Sequence, residues 1–181
     1  MFARTSRLTL RPGWPEDAAA VAAAIAHPSV AANLSRVPWP YTEADARTWL
    51  AMPRGATDPC LLILAHERAE PSLIGAISIE AVANGPPELG YWLTPSAWGR
   101  GYATEAGHAM LHMARHALGM TRLNARHFID NPASARVLAK LGFRETGRAA
   151  TFSRARGREV ASVTMACDLA DSPPQDMPLA A

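Results

Sequence analysis

Four segments decide how this chain folds: Glu88-Leu89-Gly90-Tyr91-Trp92-Leu93, then Trp98-Gly99-Arg100-Gly101-Tyr102-Ala103-Thr104-Glu105-Ala106, then Asn131-Pro132-Ala133-Ser134, then Lys140-Leu141-Gly142-Phe143. The first reads as a strand, bounded by turn residues on both sides. The second is a glycine-rich turn that opens an amphipathic helix running to Leu118. Arg122 to Phe128 reads as a second strand. Asn131 at an N-cap with Pro132 behind it opens another helix, which Gly142 closes. A glycine-rich turn between strand and helix leaves several N–H groups unpaired and aimed at one point. The helix dipole adds partial positive charge there, which suits a phosphate or diphosphate. Many tight turns, however, need glycine for φ > 0 and nothing more. The two glycines alone do not separate these readings.

Two common phosphate motifs do not fit. A P-loop needs Gly-Lys-Ser/Thr at the helix start, and the only lysine is Lys140. A dinucleotide fingerprint needs a third glycine where Thr104 stands. The four segments instead resemble the coenzyme A-binding core of the GNAT superfamily of N-acetyltransferases. That family's turn, Arg/Gln-x-x-Gly-x-Gly/Ala, aligns with positions 98 to 103, and the chain departs from it in having Trp98.

The rest of the chain agrees with that order. Residues 1–6 read as a short arm, and Arg7-Leu8-Thr9-Leu10-Arg11 alternates as a half-buried strand should. Pro15 and Glu16 open an alanine-rich helix to Ala26, which Pro28 is expected to stop. Val37 to Tyr41 is a proline-stiffened loop. Thr42 with Asp45 three residues on starts a further helix. Cys60 to Ala65 and Leu73 to Ala81 read as a hairpin, and Asn84-Gly85-Pro86-Pro87 as a second turn. Extended runs near Glu145 to Phe152 and Glu159 to Cys167 close the pattern. Residues 7–169 are expected to form one domain, and the proline-containing stretch 170–181 a mobile tail. The order predicts an α/β (α+β) sandwich, a mixed sheet with helices on its faces. The resemblance covers Arg7 to about Met165. It implies a mostly antiparallel sheet of about seven strands with one splayed parallel pair. Val37 to Asp45 is similar to the branch containing bacterial ribosomal-protein N-terminal acetyltransferases.

Composition sets limits on partners. A net charge of +2, with arginines scattered along 181 residues, gives no footprint for nucleic acid. No apolar run is long enough to span a bilayer and no signal peptide is visible, so the cytoplasm of a bacterium is the expected setting. Cys60 and Cys167 sit in apolar runs and read as buried free thiols. His108, His112 and His116 repeat at helical spacing. They read as the outer face of a helix whose other face carries Ala106, Met110, Met113 and Ala117, so no metal is expected.

The resemblance implies acetyl-CoA as cosubstrate and a primary amine as acceptor, either a protein N-terminus or a small molecule. Attack is expected to be direct, in a ternary complex. The competing reading is a catalytically silent acyl-CoA-binding or sensor module, and the oligomeric state, monomer or homodimer, stays open. The backbone of Gly99, Arg100, Gly101, Tyr102, Ala103 and Thr104 is expected to anchor the coenzyme, with Arg100 adding charge. Backbone groups of Trp92, Leu93 and Thr94 are implied to pair with the pantetheine arm. Asn131 is either a cap alone or a cap that also touches that arm. Many relatives place a tyrosine general acid late in the chain, whereas the tyrosines here are Tyr41, Tyr91 and Tyr102. Ser134, sharing a helical face with Leu138 and Leu141, is the candidate partner for the leaving sulfur, with water as the alternative. Glu88 is the candidate base, acting through water, or else an exposed carboxylate at a strand edge. Trp39 and Tyr41 either line the acceptor or anchor the loop. Arg154, Arg156 and Arg158 either meet acidic groups or form a solvated turn.

Overall fold

The computed structural model describes residues 1–67, 70–83 and 85–170. The elements, in order, are β1 (Ala3–Arg4), β2 (Leu8–Pro12), α1 (Ala18–Ile25), α2 (Pro28–Ala31), α3 (Glu43–Leu50), β3 (Cys60–Ala65), β4 (Ser72–Val82) and β5 (Gly85–Leu93). There follow α4 (Tyr102–His116), β6 (Arg122–Phe128), α5 (Pro132–Lys140), β7 (Arg144–Ser153) and β8 (Arg158–Asp168). They build one eight-stranded sheet in the order β1-β2-β3-β4-β5-β6-β8-β7. Every neighbouring pair is antiparallel except β5 and β6. The eighth strand comes from the arm, where Ala3 and Arg4 pair with Leu10 and Thr9.

Period-two alternation sorts the strand residues onto two faces. Leu8, Leu10, Leu61, Ile63, Ile77, Ile79, Leu89, Leu123 and Ala125 face α4 and α5, which add Tyr102, Ala106, Met110, Leu138 and Leu141. Leu62, Ala76 and Trp92 face the other way, against Ala18 and Val21 of α1 and Ala46 of α3. The two helices α4 and α5 approach closely because residue 107 is glycine. A Cβ there would lie 2.5 Å from Leu141 Cδ1.

Several local expectations need correction. Pro15–Asp17 form a 3-10 turn and α1 proper begins at Ala18. That helix ends at Ile25, ahead of Pro28 as expected, but Pro28 also occupies the first position of α2, where its missing N–H has no partner to lose. Gly85, Pro86 and Pro87 belong to β5, not to a turn. The prolines are tolerated because β6 pairs with β5 only from Glu88 onward. Thr42 caps α3 as expected, its Oγ1 accepting from Asp45 N–H at 3.2 Å while Asp45 accepts from Thr42 N–H at 2.9 Å. Asn84 and the tail 171–181 lie outside the described residues.

Candidate active site

The turn before α4 owes its shape to two glycines in the left-handed region, Gly99 at φ 74° and Gly101 at φ 81°. Gly101 is the N-cap, and Glu105 N–H is the first to bond back, to the Gly101 carbonyl at 3.0 Å. The amides of Tyr102, Ala103 and Thr104 therefore have no partner within the helix, at the positive end of a fifteen-residue dipole. Side chains surround the turn without covering it. Tyr102 is buried, with its hydroxyl on Glu67 and the guanidinium groups of Arg7 and Arg100 over its ring at 4.6 and 5.3 Å. Arg100 is engaged by the Glu67 carboxylate, so its charge is already shared with a protein anion. A Cβ on Gly99 would meet nothing within 4 Å.

Beside this turn the parallel pair comes apart. Only Glu88↔Asn124 and Leu89↔Ala125 pair, although β5 continues to Leu93 and β6 to Phe128. From Gly90 onward β5 has a ladder on its β4 side alone. Thr94 N–H bonds to Ile74 O at 2.8 Å, and alternation then turns Leu93 N–H away from β4, into the opening. The Leu93 carbonyl, on the same side, accepts the Trp98 indole N–H at 2.8 Å. Trp98, where the family's turn has arginine or glutamine, thus spans the turn from helix start to strand end.

Across the opening, α5 presents Ser134. Its N–H goes to the Asn131 side chain at 3.1 Å, which shows the capping role of Asn131. Its hydroxyl lies 2.8 Å from the Tyr91 hydroxyl, which also donates to the Ser134 carbonyl at 3.3 Å. Burial pushes the Tyr91 phenol up to about 12, so it stays protonated. Tyr91 is the residue that the sequence reading missed. It stands in the middle of β5, and its hydroxyl is the partner of Ser134. Alternation offered the signal, since Tyr91 lies on one face with Leu89 and Leu93, the face that α5 covers.

Glu88 is on the opposite face, with Trp92 and away from Ser134. Its carboxylate bonds to Arg126 at 3.0 Å, and Arg126 bonds to Thr151 at 3.1 Å. Glu80 stands directly across the ladder from Glu88 and pairs with Arg36 at 2.5 Å. Two like charges opposed in this way repel, and each guanidinium relieves one of them. The loop aromatics divide. Tyr41 is packed into the α1/α3 core, its phenol pushed up to about 12 by burial and by Asp45, whereas Trp39 is exposed. Arg156 is structural, bonding to Ala32 O at 2.7 Å and to Asp130 at 2.6 Å, over the Phe128 ring. Arg154 donates to Arg36 O, while Arg158 and Lys140 are exposed.

Cys167 is buried and Cys60 only partly so. Cys60 borders a shallow cavity of about 200 Å³ with Trp49, Leu50 and Met52, at the opposite end of β2 from Arg7. His108 is half-buried and burial lowers its pKa, while His112 and His116 are exposed. Ala117, the C-cap of α4, is exposed too. Among the described residues no three His, Cys, Asp or Glu side chains are placed to hold a metal ion, and no helix is long and apolar enough to cross a membrane.

The sequence and the fold both have relatives among known proteins. A sequence profile described as an acetyltransferase (GNAT) domain matches residues 7–144. The chain belongs to the GNAT acetyltransferase family. Similar curated proteins include the uncharacterized N-acetyltransferase YoaA of Bacillus subtilis, 38% identical over 45% of this chain and 48% of its own length. Another is the ribosomal-protein-serine acetyltransferase of Escherichia coli, 34% identical over 41% of this chain and 42% of its own. The chain thus spans about half the length of these two relatives. A GNAT acetyltransferase structure from Bacillus anthracis superposes with a TM-score of 0.79 at 24% identity, covering 94% of this chain and 100% of that one. As a GNAT fold, the mixed sheet with its single parallel pair is the architecture expected from the turn and the capped helix.

Proposed function

We propose that this acetyltransferase takes its acetyl group from acetyl-CoA and passes it to a primary amine, by direct attack while both are bound. The opening between β5 and β6, beside unpaired amides at the α4 N-terminus, is the observation that supports this most. The group fits what is present: the positive end of α4 faces the diphosphate, and an open strand edge at Leu93 matches an amide-bearing pantetheine arm. On this reading Gly99 to Thr104 hold the phosphates through their backbone. Leu93 N–H polarises the thioester carbonyl, with Trp92 and Thr94 fixing that stretch of β5. Asn131 caps α5 and offers the rest of its amide to the arm.

Ser134 and Tyr91 together receive the departing sulfur. Burial makes the Tyr91 phenol a much weaker acid than an ordinary thiol, so it does not give up its proton to a thiolate. Their role is therefore to donate a hydrogen bond, and the proton arrives from solvent. Glu88 accepts the acceptor's proton through water on the far side of β5. A protein N-terminus, with a reference pKa of about 7.7 to 8.0, needs less help than a lysine-like amine. Similarity to a ribosomal-protein-serine acetyltransferase supports that acceptor class.

Calorimetry with acetyl-CoA and with desulfo-CoA tests the reading, and no binding at millimolar concentration removes it. A silent acyl-CoA module is the second reading, favoured by the engagement of Glu88 with Arg126 and of Ser134 with Tyr91. Coenzyme binding without turnover across peptides and small amines selects it.

A further inference from the structure

The residues before β2 grip the start of α4. Arg7 Nε and Nη2 reach Glu105 Oε2 at 2.7 and 2.6 Å, and Arg7 N–H reaches Glu105 Oε1 at 3.1 Å. Thr5 donates to the same oxygen at 2.5 Å. The second arm of the guanidinium, Nη1, donates to the Arg100 carbonyl at 3.0 Å. The Arg7 carbonyl is itself held, accepting from His66 N–H at 3.0 Å, so the guanidinium acts from an anchored strand.

Two consequences follow from elementary chemistry. A trans peptide is planar, so drawing the Arg100 carbonyl toward Arg7 turns the Gly101 N–H the opposite way, away from Arg7. Glu105 stands in the first turn of α4, in the field that would bind an anion. Unless neutralised, its carboxylate opposes a second negative group there. We infer that Arg7 is a positioning residue for the coenzyme: it sets the Arg100–Gly101 peptide and cancels the Glu105 charge beside the diphosphate site. The inference rests on the acetyl-CoA reading above. A plain strap, tying the arm to the domain, is the alternative.

The test compares kcat/KM for acetyl-CoA with that for S-acetylpantetheine, which lacks the diphosphate. Arg7→Ala is expected to lower the first at least tenfold, through KM, and to leave the second within twofold. Adding Glu105→Gln to Arg7→Ala is expected to recover part of the loss, because the uncompensated charge is gone. Equal losses with both substrates, or no loss with either, overturn the inference. If Arg7→Ala does not fold, Arg7→Lys replaces it. A lysine keeps the charge but cannot reach Glu105 and the carbonyl together. A smaller loss confined to acetyl-CoA is then expected, and a loss shared by both substrates overturns the idea. A wild-type protein that binds no acetyl-CoA sinks the earlier reading instead.

Discussion

Replacing Gly101 by valine tests whether the turn is an anion site. Gly101 sits at φ 81° and ψ 0°, where a β-branched residue is strained by about 1–3 kcal/mol. The strain is conformational: a Cβ at this position would have Arg7 Nη2 at 3.5 Å as its nearest neighbour, an ordinary contact. Against a typical stability of about 5–15 kcal/mol, the variant should remain folded. Binding is a different matter. Relaxing the strain rotates the Arg100–Gly101 peptide and tilts the first amides of α4 away from their common target. Hydrogen bonds to charged groups are each worth about 1.5–3 kcal/mol, so misaligning one or two weakens coenzyme binding by about tenfold to a thousandfold or more. Gly119→Val is the control. Gly119 also has positive φ, 65°, with nothing within 4 Å of its would-be Cβ, but it lies past the far end of α4. The assay is calorimetric titration of CoA alongside thermal melting of both variants. Both should lose similar stability, and only Gly101→Val should lose affinity. Normal CoA binding by Gly101→Val, or equal weakening by Gly119→Val, refutes the reasoning.

Further perturbations probe the opening, the clasp and the helix pair. Tyr91→Phe removes the phenol that Ser134 bonds to at 2.8 Å. It is expected to cost about 1 kcal/mol in urea unfolding and to lower kcat with little change in KM for acetyl-CoA. An unchanged kcat removes Tyr91 from the reaction. The pKa of Glu105 is pushed up by burial, but the hydrogen bonds from Thr5 and Arg7 and the guanidinium charge outweigh this and leave it lowered. A folded-state value below the unfolded one, about 4.3, contributes stability above that pH and loses it as pH falls through the folded value. The destabilisation caused by Arg7→Ala should therefore be full at pH 7 and shrink in acid, and a gap that widens below pH 4 contradicts this account. Gly107→Val puts a side chain where a Cβ already meets Leu141 at 2.5 Å. A loss of about 1–3 kcal/mol by urea unfolding is expected as α4 and α5 are forced apart, and a variant of wild-type stability would show that the helices have slack.

How far the sequence could be read depended on whether the signal was local. Arg122–Phe128, from its alternation, and Cys60–Ala65, from its apolar run, appear with the expected bounds, and α5 starts at the Asn131-Pro132 cap. Each of those features is settled by a few adjacent residues. The end of pairing between β5 and β6 after Leu89 and Ala125 is not written locally, because it depends on where two strands distant in sequence diverge under twist. Ser134 could be singled out as a hydroxyl on the face of Leu138 and Leu141. Alternation marks the strand face its partner comes from, but which residue of that face meets Ser134 depends on the height of α5 above β5, a tertiary quantity. Trp98 makes the same point from the other side. In the sequence it stands only as a departure from the family's turn. In the fold its indole N–H satisfies the Leu93 carbonyl on the open edge of β5. That bond takes one of the carbonyl's two lone pairs, and the adjacent Leu93 N–H still faces the opening. The indole therefore ties the start of α4 to the end of β5 across the turn, a tertiary contact that the residue type alone does not announce.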